Sequence, residues 1–393
     1  MTLVRAVVVD AVRSPVGRGK VGGALADIHP SDLLGQVLTG LVGRSALDPG
    51  LIDDVIVGCV NQSGEQSATP GRQALLSAGF PEHVPSVTVE RKCGSGQQAV
   101  DFAVQGVLAG SYDVVVAAGV ESMSRVPMGS ASMGMDPQGP GVRARFPHLV
   151  PQGIAAELVA HKWRLSRTEL DEYSARSHER AAYARAQGWF NDEIVAITTP
   201  TGVVLSDETI REGTTTEKLG KLRPAFDTEA WRAKFPDLDW RVTAGNSSQL
   251  ADGASALLIM SEERALELGL TPRAAIRAAI AVGDDPNIML TGPIPATERV
   301  LAKAGLTVAD ISAYEVNEAF ASVPLAWQRE IGASDKAINP VGGAVALGHP
   351  LGASGVRLMT TLINHLERID GRFGLQTMCE AGGMANATVI ERL

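Results

Sequence analysis

An internal repeat is the feature that most constrains how this chain can fold. Residues 51–61 read LIDDVIVGCVN and residues 307–317 read TVADISAYEVN, so in both an acidic turn leads into a short apolar strand that ends in Val-Asn. The step from the first segment to the second also links two pairs of residues in later turns, Cys93 with His349 and Gly96 with Gly352. Turns of small residues recur by chance, but several matches at one offset predict a duplicated unit.

Within each unit, strands are predicted to alternate with helices. Residues 1–10 are predicted to enter the fold as a strand, and residues 113–119 are continuously apolar, as expected of a strand buried on both faces. The other predicted elements are a strand at 85–89, a helix at 97–108, a helix at 356–366, a strand at 373–378 and a last strand at 388–390. This alternation predicts a layered α/β fold.

Between the two units the composition and the periodicity of the sequence change. Residues 122–151 are rich in Gly, Pro, Met and Ser without periodicity, and residues 157–187 read as charged amphipathic helices with Ser166 as a cap. Such an excursion is typical of a lid or a ligand platform. We therefore expect a first unit at 1–120 that is completed by about 250–268, an inserted loop domain at 121–249, and a second unit at 269–393.

Length and charge exclude several classes of protein. A chain of 393 residues accommodates two related units and an insertion. The formal net charge of -9 argues against a nucleic-acid binder, which would show a basic stripe, although a few local basic residues could still bind an anionic cofactor. The sequence has no run of about 18 apolar residues, so no membrane-spanning helix is expected.

The chain has three cysteines, Cys59, Cys93 and Cys379. An odd, sparse set without a C-x-x-C pair is a poor disulfide framework and a poor zinc site, and it fits a reducing compartment. The N-terminal residues resemble a strand rather than a signal peptide, so we expect a cytoplasmic protein without a bound metal. Cys59 lies in an apolar strand and is predicted to belong to the core.

Cys93 lies in a strand-to-helix turn, Lys92-Cys93-Gly94-Ser95-Gly96. Backbone N–H groups and the helix dipole at such a turn favour an anion, so we expect the pKa of this thiol to fall from about 8.5 toward neutrality. The glycines would let a ligand approach the backbone closely. The alternative is that Cys93 is a small buried apolar residue, as most isolated cysteines are.

Three further residues are candidates for chemistry. His349 occupies the turn that corresponds to that of Cys93, and an imidazole beside a cysteine is a common base for a thiol, although an isolated histidine is more often structural. Cys379 precedes the turn Ala381-Gly382-Gly383, where a second thiol could move the proton of a carbon acid. Asn317 ends a strand and could orient water or polarise a carbonyl group.

Four separated blocks of the chain resemble the signatures of the thiolase family. They are CGSG at 93–96, NEAF at 317–320, NPVGGAVALGHPLGASG at 339–355 and CEAGG at 379–383. The resemblance covers nearly the whole chain, including residues 13–17 and 243–248, and the blocks stand in the family's order. It implies a five-layered α/β/α/β/α core of two βαβαβαββ halves with a loop domain over coenzyme A. It also implies a homo-oligomer, dimer or tetramer, with acyl-CoA substrates and no tightly bound cofactor.

The resemblance further implies a ping-pong acyl transfer. Cys93 would attack the 3-keto carbon of a 3-oxoacyl-CoA while His349 takes its proton, and Cys379 would protonate the departing acetyl-CoA carbanion. Coenzyme A would then take the acyl group from Cys93. One oxyanion hole would use His349 with a water held by Asn317, and the other the backbone N–H groups of Cys93 and Ala381. By position, Arg211 resembles the family's contact to adenine and Ser248 its contact to pantetheine.

Four departures from the family pattern refine this reading. Glu90 replaces a small polar residue three positions before Cys93 and is expected to add negative charge near a thiolate there, and Ala381 replaces a usual glycine. Pro-Gln-Gly at 151–153 stands where short-chain synthetic thiolases tend to have His-Met-Gly, which favours a degradative 3-ketoacyl-CoA thiolase over a short-chain acetyltransferase. Residues 230–240 read as extra sequence with two tryptophans and no assigned role.

Three other classes of protein fit the sequence less well. A decarboxylating ketoacyl synthase of the same superfamily would normally lack the Cys379 loop, which this chain has. A catalytically silent, lipid-binding relative would have lost Cys93, His349 or Cys379, and all three are present. A nucleotide-dependent dehydrogenase would need G-x-G-x-x-G after the first strand, and the sequence has none there.

Overall fold

Twelve strands and thirteen helices are seen in the computed structural model, which describes residues 5–393. The strands are β1 (Ala6–Arg13), β2 (Gly17–Arg18), β3 (Asp54–Gly58), β4 (Ser86–Val89), β5 (Val114–Ser122), β6 (Ile197–Thr199), β7 (Gly202–Val204), β8 (Ala251–Ser261), β9 (Ala274–Gly283), β10 (Ile311–Val316), β11 (Phe373–Glu380) and β12 (Met384–Arg392). Of the strand predicted at 1–10, residues 1–4 lie outside the described part.

The helices alternate with these strands and vary widely in length. They are α1 (Pro30–Ser45), α2 (Pro70–Ser77), α3 (Ser95–Leu108), α4 (Gly139–Arg145), α5 (Gln152–Lys162), α6 (Arg167–Ala186), α7 (Thr216–Gly220), α8 (Glu229–Lys234), α9 (Glu262–Glu267), α10 (Pro293–Ala304), α11 (Ser322–Ile331), α12 (Ala344–Leu347) and α13 (Leu351–Ile369). In α6 the predicted cap is present, because Ser166 accepts from the N–H of Glu169 while the Glu169 carboxylate accepts from Ser166.

The two units use the same strand order. In the first the order is β4-β3-β5-β8-β1, and in the second it is β10-β11-β12-β9. In each, a parallel pair (β3–β5, β10–β11) is followed by antiparallel neighbours (β5–β8 and β8–β1, β11–β12 and β12–β9). A single parallel bridge between Tyr314 and Ile338 stands where β4 pairs with β3 in the first unit. The predicted duplication is confirmed.

Five layers result from the packing of helices on these sheets. Helices α3 and α13 form the middle layer, where their apolar faces pack between the strands of the two units around residues such as Val104 and Met359. Helices α1 and α2 cover the outer face of the first unit, and α10 and α11 cover that of the second. The sheets also join at one edge, where β1 and β9 pair through Val7–Ala275 and Val8–Ala274.

Glycines allow the two middle helices to touch at their first turns. A Cβ atom on Gly96 of α3 would lie 2.6 Å from the carbonyl oxygen of Gly352, and one on Gly352 would lie 2.6 Å from the carbonyl oxygens of Gly58 and Val120. Backbones can approach this closely only where no side chain intervenes. The pair related by the sequence repeat therefore marks the point where the two units meet.

The chain between β5 and β8 contains helices α4–α8 and the small hairpin β6–β7. Its longest helix, α6, is tied to the second unit through Glu318, whose carboxylate accepts from Tyr173 at 2.9 Å and Ser177 at 2.7 Å. Glu318 also accepts from the backbone N–H of Val345 at 3.0 Å. No helix in residues 5–393 is long and apolar enough to cross a membrane.

Candidate active site

The turn that carries Cys93 is held in an unusual backbone conformation. Lys92 has a φ of 47°, in the left-handed region that non-glycine residues seldom adopt. The Ser95 hydroxyl fixes the turn, since it accepts from the N–H of Arg91 at 2.8 Å and donates to the carbonyl of Lys92 at 2.6 Å. Cys93 thus stands just before the N-terminus of α3, with its side chain 5% exposed.

Burial overrides the predicted activation of the Cys93 thiol. Desolvation, followed by the negative charge of Glu380, raises the pKa of Cys93 to about 12. The backbone N–H groups of Cys93 and Ala381 act in the opposite direction, as expected for a turn of this kind, but their effect is smaller. The prediction of a pKa near neutrality was therefore wrong for the protein without substrate, because the water that would solvate a thiolate is excluded.

Glu90 was expected to add negative charge beside Cys93, and the structure assigns that role elsewhere. Its carboxylate is partly exposed and forms an ion pair with Lys92, at 3.1 Å from the ammonium nitrogen. Glu380, which is fully buried, is the carboxyl group that most opposes ionisation of Cys93. The negative charge that Glu90 introduces, relative to the family pattern, is thus balanced by the neighbouring Lys92.

His349 is placed as a neutral base. Its Nδ1 lies 2.6 Å from the hydroxyl of Ser354, which itself donates to the carbonyl of Pro350 at 2.9 Å. Because that hydroxyl has one hydrogen, it must accept from His349, so Nδ1 carries the proton and Nε2 is free to accept one. Burial and then the charge of Arg357 lower the pKa of His349 to about 3, so the ring is uncharged in its resting state.

Asn317 lies beside the free nitrogen of that ring. Its amide nitrogen is 3.4 Å from Nε2 of His349, and its side chain is buried at the end of β10. Within the described residues, no hydrogen-bond donor reaches Oδ1 of Asn317. The amide thus has an unpaired oxygen beside His349, and its role in holding water or polarising a carbonyl stays a prediction.

Cys379 and Ala381 complete the site from the end of β11. Burial, then Cys93 and Glu380, raise the pKa of Cys379 well above its usual value. Cys93 and Cys379 both line the central cavity. The backbone N–H of Ala381 lowers the pKa of Cys93. Ala381 is not among the residues with positive φ, whereas Gly382 and Gly383 have φ values of 91° and 77°. An alanine therefore fits at 381 without strain.

A central cavity of about 280 Å³ brings the candidate residues together. Its walls include Cys93, His349 and Cys379 together with Ser248 and Phe320. Two more cavities extend it. An outer pocket of about 350 Å³ contains Arg211 and shares Ala244 and Gln249 with the central cavity. A further pocket of about 440 Å³, called the inner chamber because Cys93 lines it, shares Cys93, Met128, Gln152 and Leu351 with the central cavity, and part of its lining, including Met128, is exposed at the surface.

Arg211 and Ser248 are thus near the catalytic candidates but not in one pocket. The Arg211 guanidinium donates to the Gln249 side chain at 3.1 Å and lines the outer pocket, whereas Ser248 lines the central cavity and its N–H donates to the carbonyl of Ala319. Gln152 lies between the central cavity and the inner chamber. In the part of the chain that the structure describes, no group of His, Cys, Asp or Glu side chains is arranged to hold a metal ion.

Residues 230–240 pack against an apolar cluster next to the site. They include helix α8, and Trp231 stacks on Phe235 with ring centroids 6.1 Å apart. Both rings and Trp240 pack against the apolar cluster that contains Leu290 and Cys379. This segment, which had no role in the sequence analysis, therefore supports the side of the cavity that carries Cys379.

Glu121 is an important residue that the sequence analysis missed. It is fully buried at the end of β5, where it accepts from the N–H groups of Val60 and Asn61 at 3.0 Å and from the N–H of Gly352 at 2.9 Å. It therefore connects the first unit to the helix that follows His349. A buried charged residue at the end of an apolar strand, Val-Glu-Ser at 120–122, was the available signal.

Comparison with known proteins agrees with this geometry. The model of the thiolase N-terminal domain matches residues 6–263, and that of the thiolase C-terminal domain matches residues 270–392. The chain belongs to the thiolase family. It is 47% identical to "Steroid 3-ketoacyl-CoA thiolase FadA6" of Mycobacterium tuberculosis, over 100% of this chain and 95% of that protein. It is 45% identical to a 3-ketoacyl-CoA thiolase of Enterobacter sp., over 99% of this chain and 100% of that protein.

Proposed function

We propose that this protein is a degradative thiolase, an acyltransferase that cleaves a 3-oxoacyl-CoA with coenzyme A through an acyl thioester on Cys93. The observation that carries the proposal is the presence of Cys93, His349 and Cys379 in the walls of one buried cavity. Two thiols and one neutral imidazole are the groups that a carbon–carbon cleavage by thiol attack requires. The identity with 3-ketoacyl-CoA thiolases over the full chain supports the same reaction.

In the proposed first half-reaction, Cys93 and His349 act together. The resting pair is an uncharged thiol and an uncharged imidazole, since burial disfavours both charged forms. The proton moves to Nε2 of His349 as the sulfur attacks the 3-keto carbon. Negative charge then develops on the keto oxygen, which Nε2–H of His349 and a group held by Asn317 would stabilise. The bond between C2 and C3 breaks, and the acyl group stays on Cys93.

Cys379 would supply the proton that the leaving carbanion needs. Its pKa is raised, so it is a protonated thiol that can donate to C2 of the departing acetyl-CoA. Coenzyme A then gives its thiol proton to Cys379 and attacks the acyl thioester on Cys93, whose sulfur leaves and takes back the proton held by His349. The N–H groups of Cys93 and Ala381 would hold the thioester oxygen. Loss of one oxyanion-hole donor typically lowers the rate about 10²–10³-fold.

Residues 121–249 are proposed as the platform for coenzyme A. The outer pocket and the central cavity adjoin at Ala244 and Gln249, which gives a route from Arg211 at the surface to Cys93. Arg211 would contact the adenine end of coenzyme A, and Ser248 would contact its pantetheine arm. The basic side chains of Arg211 and Lys218 in the outer pocket suit the phosphates of coenzyme A.

The inner chamber supports an acyl group larger than acetyl. Cys93 and Gln152 line it together with apolar residues such as Val60, Met128 and Leu351, and its other walls include polar residues. A short-chain acetyltransferase that makes acetoacetyl-CoA would have no use for this space. A second candidate substrate is a bulky, ring-containing 3-oxoacyl-CoA, because a chamber of about 440 Å³ has room for more than a narrow chain, and the name of the mycobacterial relative specifies a steroid.

Two further parts of the proposal rest on the family and on cysteine chemistry. A homo-oligomer, dimer or tetramer, is expected because thiolases associate through their cores. A cytoplasmic location is supported by three buried free cysteines, two of which must remain reduced for the reaction. Sedimentation equilibrium of the purified protein measures the oligomeric state, and a monomer would contradict the first expectation.

The proposed function is tested by thiolysis of acetoacetyl-CoA, of a long linear 3-oxoacyl-CoA and of a ring-containing one. We expect the wild-type protein to cleave one of the larger substrates with the higher kcat/KM, and Cys93→Ser to lose activity at least about 10³-fold. Cys59→Ser is the matched control, since Cys59 is buried in the core outside the cavity and should leave kcat unchanged. Turnover of acetoacetyl-CoA alone would identify a short-chain enzyme, and no turnover would overturn the proposal.

A further inference from the structure

A pair of buried carboxyl groups lies beneath the turn that carries the nucleophile. Glu380 follows Cys379 at the end of β11, and Asp101 lies on α3, about two turns of helix after Gly94. Their side chains are 0% and 3% exposed, respectively. Asn386 of β12 lies between them. The reaction proposed above uses none of these three residues.

The hydrogen bonds around this pair are incomplete. The amide nitrogen of Asn386 donates to Asp101 at 2.9 Å and faces the Gln98 side chain at 3.3 Å. Among the described residues, however, no donor reaches either carboxyl oxygen of Glu380 or Oδ1 of Asn386. The backbone N–H of Asn386 is on the same side as the Glu380 carboxyl but does not form a hydrogen bond with it.

These unpaired acceptors converge on one point. A Cβ atom built on Gly94 would lie 1.9 Å from Oε1 of Glu380 and 2.8 Å from Oδ1 of Asn386. Both oxygens therefore cover the same face of the residue next to Cys93. Two buried acceptors that face each other repel, and burying such groups without a donor costs roughly 1–3 kcal/mol for each of them.

A proton on one of the two carboxyl groups would supply the missing hydrogen-bond donor, whichever way the Asn386 side-chain amide is oriented. As placed, the Asn386 amide donates to Asp101, so its oxygen faces Glu380, which must then be protonated to donate. If the amide were turned over, its nitrogen would serve Glu380 and its oxygen would face Asp101, which would need the proton instead. The bridge between the two carboxyl groups thus always requires one of them to be neutral.

We propose that Glu380 is a positioning residue that works in its protonated form, donating to Asn386 and keeping negative charge away from the nucleophile Cys93. The inference deepens the proposed function, since it concerns the same site. Its physical basis is that an ionised Glu380 would place a second negative charge beside the sulfur as the thiolate forms. An ionised Glu380 would therefore raise the pKa of Cys93 at alkaline pH, where a thiolate would otherwise form more readily.

The charged groups around Glu380 agree with this assignment. Arg91, before α3, favours its ionised form, whereas Asp101 of α3 and the nearby Glu90 oppose it. Burial is the largest influence and raises the pKa of Glu380 to about 8, and it raises that of Asp101, which also feels Lys303 of α10, to about 7. Cys93 and Cys379 face Glu380 from the site itself. Glu380 is therefore mostly neutral at pH 7 and becomes ionised above pH 8.

The test is the rate at which iodoacetamide alkylates Cys93, followed peptide by peptide with mass spectrometry from pH 6 to 9.5. The variant is Glu380→Gln, whose amide can donate to Asn386 as a protonated carboxyl does but cannot ionise. At pH 6 to 6.5 we expect equal rates within about twofold. At pH 9 we expect the variant to react about 3–10-fold faster, because a neighbouring charge that shifts a pKa by one unit changes the thiolate fraction tenfold.

Glu90→Gln is the matched control, since it removes a carboxylate of the same loop that is exposed and paired with Lys92. Its alkylation profile should stay within about twofold of that of the wild-type protein at every pH, because Glu90 is the smallest of the named influences on Glu380. Equal profiles for wild type and Glu380→Gln would overturn the inference, as would a variant that reacts more slowly by the same factor at every pH. Alkylation needs no acyl transfer, so the outcome stands apart from failure of the proposed thiolase activity.

A second measurement covers the case in which Glu380→Gln does not fold. Infrared difference spectra of the wild-type protein between pH 6.5 and 9.5 should show the carbonyl stretch of a buried protonated carboxyl that disappears as the pH rises. Cys93→Ala should retain this band, because the carboxyl pair and not the thiol carries the proton. Glu315→Gln should also retain it, since this variant removes another buried carboxyl whose pKa is raised to about 8. A spectrum without such a band at pH 6.5 would mean that neither Glu380 nor Asp101 is protonated, and the inference would be wrong.

Discussion

At the scale of single residues, burial decides the chemistry of this site more than the local turn does. Sequence reasoning identified Cys93, His349 and Cys379, because each lies in a glycine-containing turn that matches a family signature. It gave the wrong direction for the pKa of Cys93, since the depth of a turn within the protein depends on segments far away in the chain. The inner chamber, Glu121 and the pair of Glu380 with Asp101 were missed for the same reason.

Ser354 gives a first prediction at this scale. Its hydroxyl fixes the tautomer of His349 by accepting from Nδ1. Without it, the proton can move to Nε2, the nitrogen that must accept the proton of Cys93. We therefore expect Ser354→Ala to lower kcat for thiolysis by about 10-fold or more with little change in KM, as measured by steady-state kinetics.

Ser255→Ala provides the matched control for that experiment. Ser255 is also a buried serine whose hydroxyl donates to a backbone carbonyl at the start of α13, that of Ala353, at 2.7 Å. It makes no hydrogen bond to His349, so it tests for a general loosening of the helix. Similar kcat values for the two variants would contradict a specific role of Ser354 in orienting the imidazole.

At the scale of elements, the first turn of α13 shows where sequence reasoning stops. Residues 351–355, Leu-Gly-Ala-Ser-Gly, read as a turn, and a helix was predicted only from 356. The structure starts this helix at Leu351. The small residues are needed because α3 crosses there, and the crossing partner cannot be read from a local window. Helix propensity was outweighed by the close approach of two backbones.

Gly352 tests the importance of this crossing. A methyl group there would lie 2.6 Å from two carbonyl oxygens, which belong to backbone that cannot move without disturbing β3 and β5. We expect Gly352→Ala to lower the free energy of unfolding by about 1–3 kcal/mol or more, as measured by urea denaturation. Gly43→Ala in α1, where nothing lies within 4 Å of the added atom, should be neutral or stabilising by up to about 1 kcal/mol. Equal effects of the two substitutions would refute this account.

At the scale of the whole molecule, the active site exists only because two units are joined face to face. Cys93 lies just before α3, and His349 lies two residues before α13, so each unit brings one proposed reacting group to the middle layer. The repeat in the sequence predicted that equivalent turns would meet. It did not predict the carboxylates that tie the units together, because a buried charge is recognisable only once its partners are known.

Glu121 is the residue on which this connection can be tested. Its carboxylate accepts from Val60 and Asn61 in the first unit and from Gly352 in the second, so Glu121→Ala would leave these buried N–H groups without acceptors. An unpaired buried donor costs roughly 1–3 kcal/mol, and we expect the free energy of unfolding to fall by about 3 kcal/mol or more.

Glu65→Ala is the comparison, because Glu65 is a partly exposed glutamate that pairs with Arg125 at the surface, where such a pair contributes at most about 1 kcal/mol. Urea denaturation monitored by tryptophan fluorescence measures both variants, and kcat measured on the folded protein reports whether His349 has moved. A loss of stability for Glu121→Ala no larger than that for Glu65→Ala would show that the two units are held together by their apolar contacts alone.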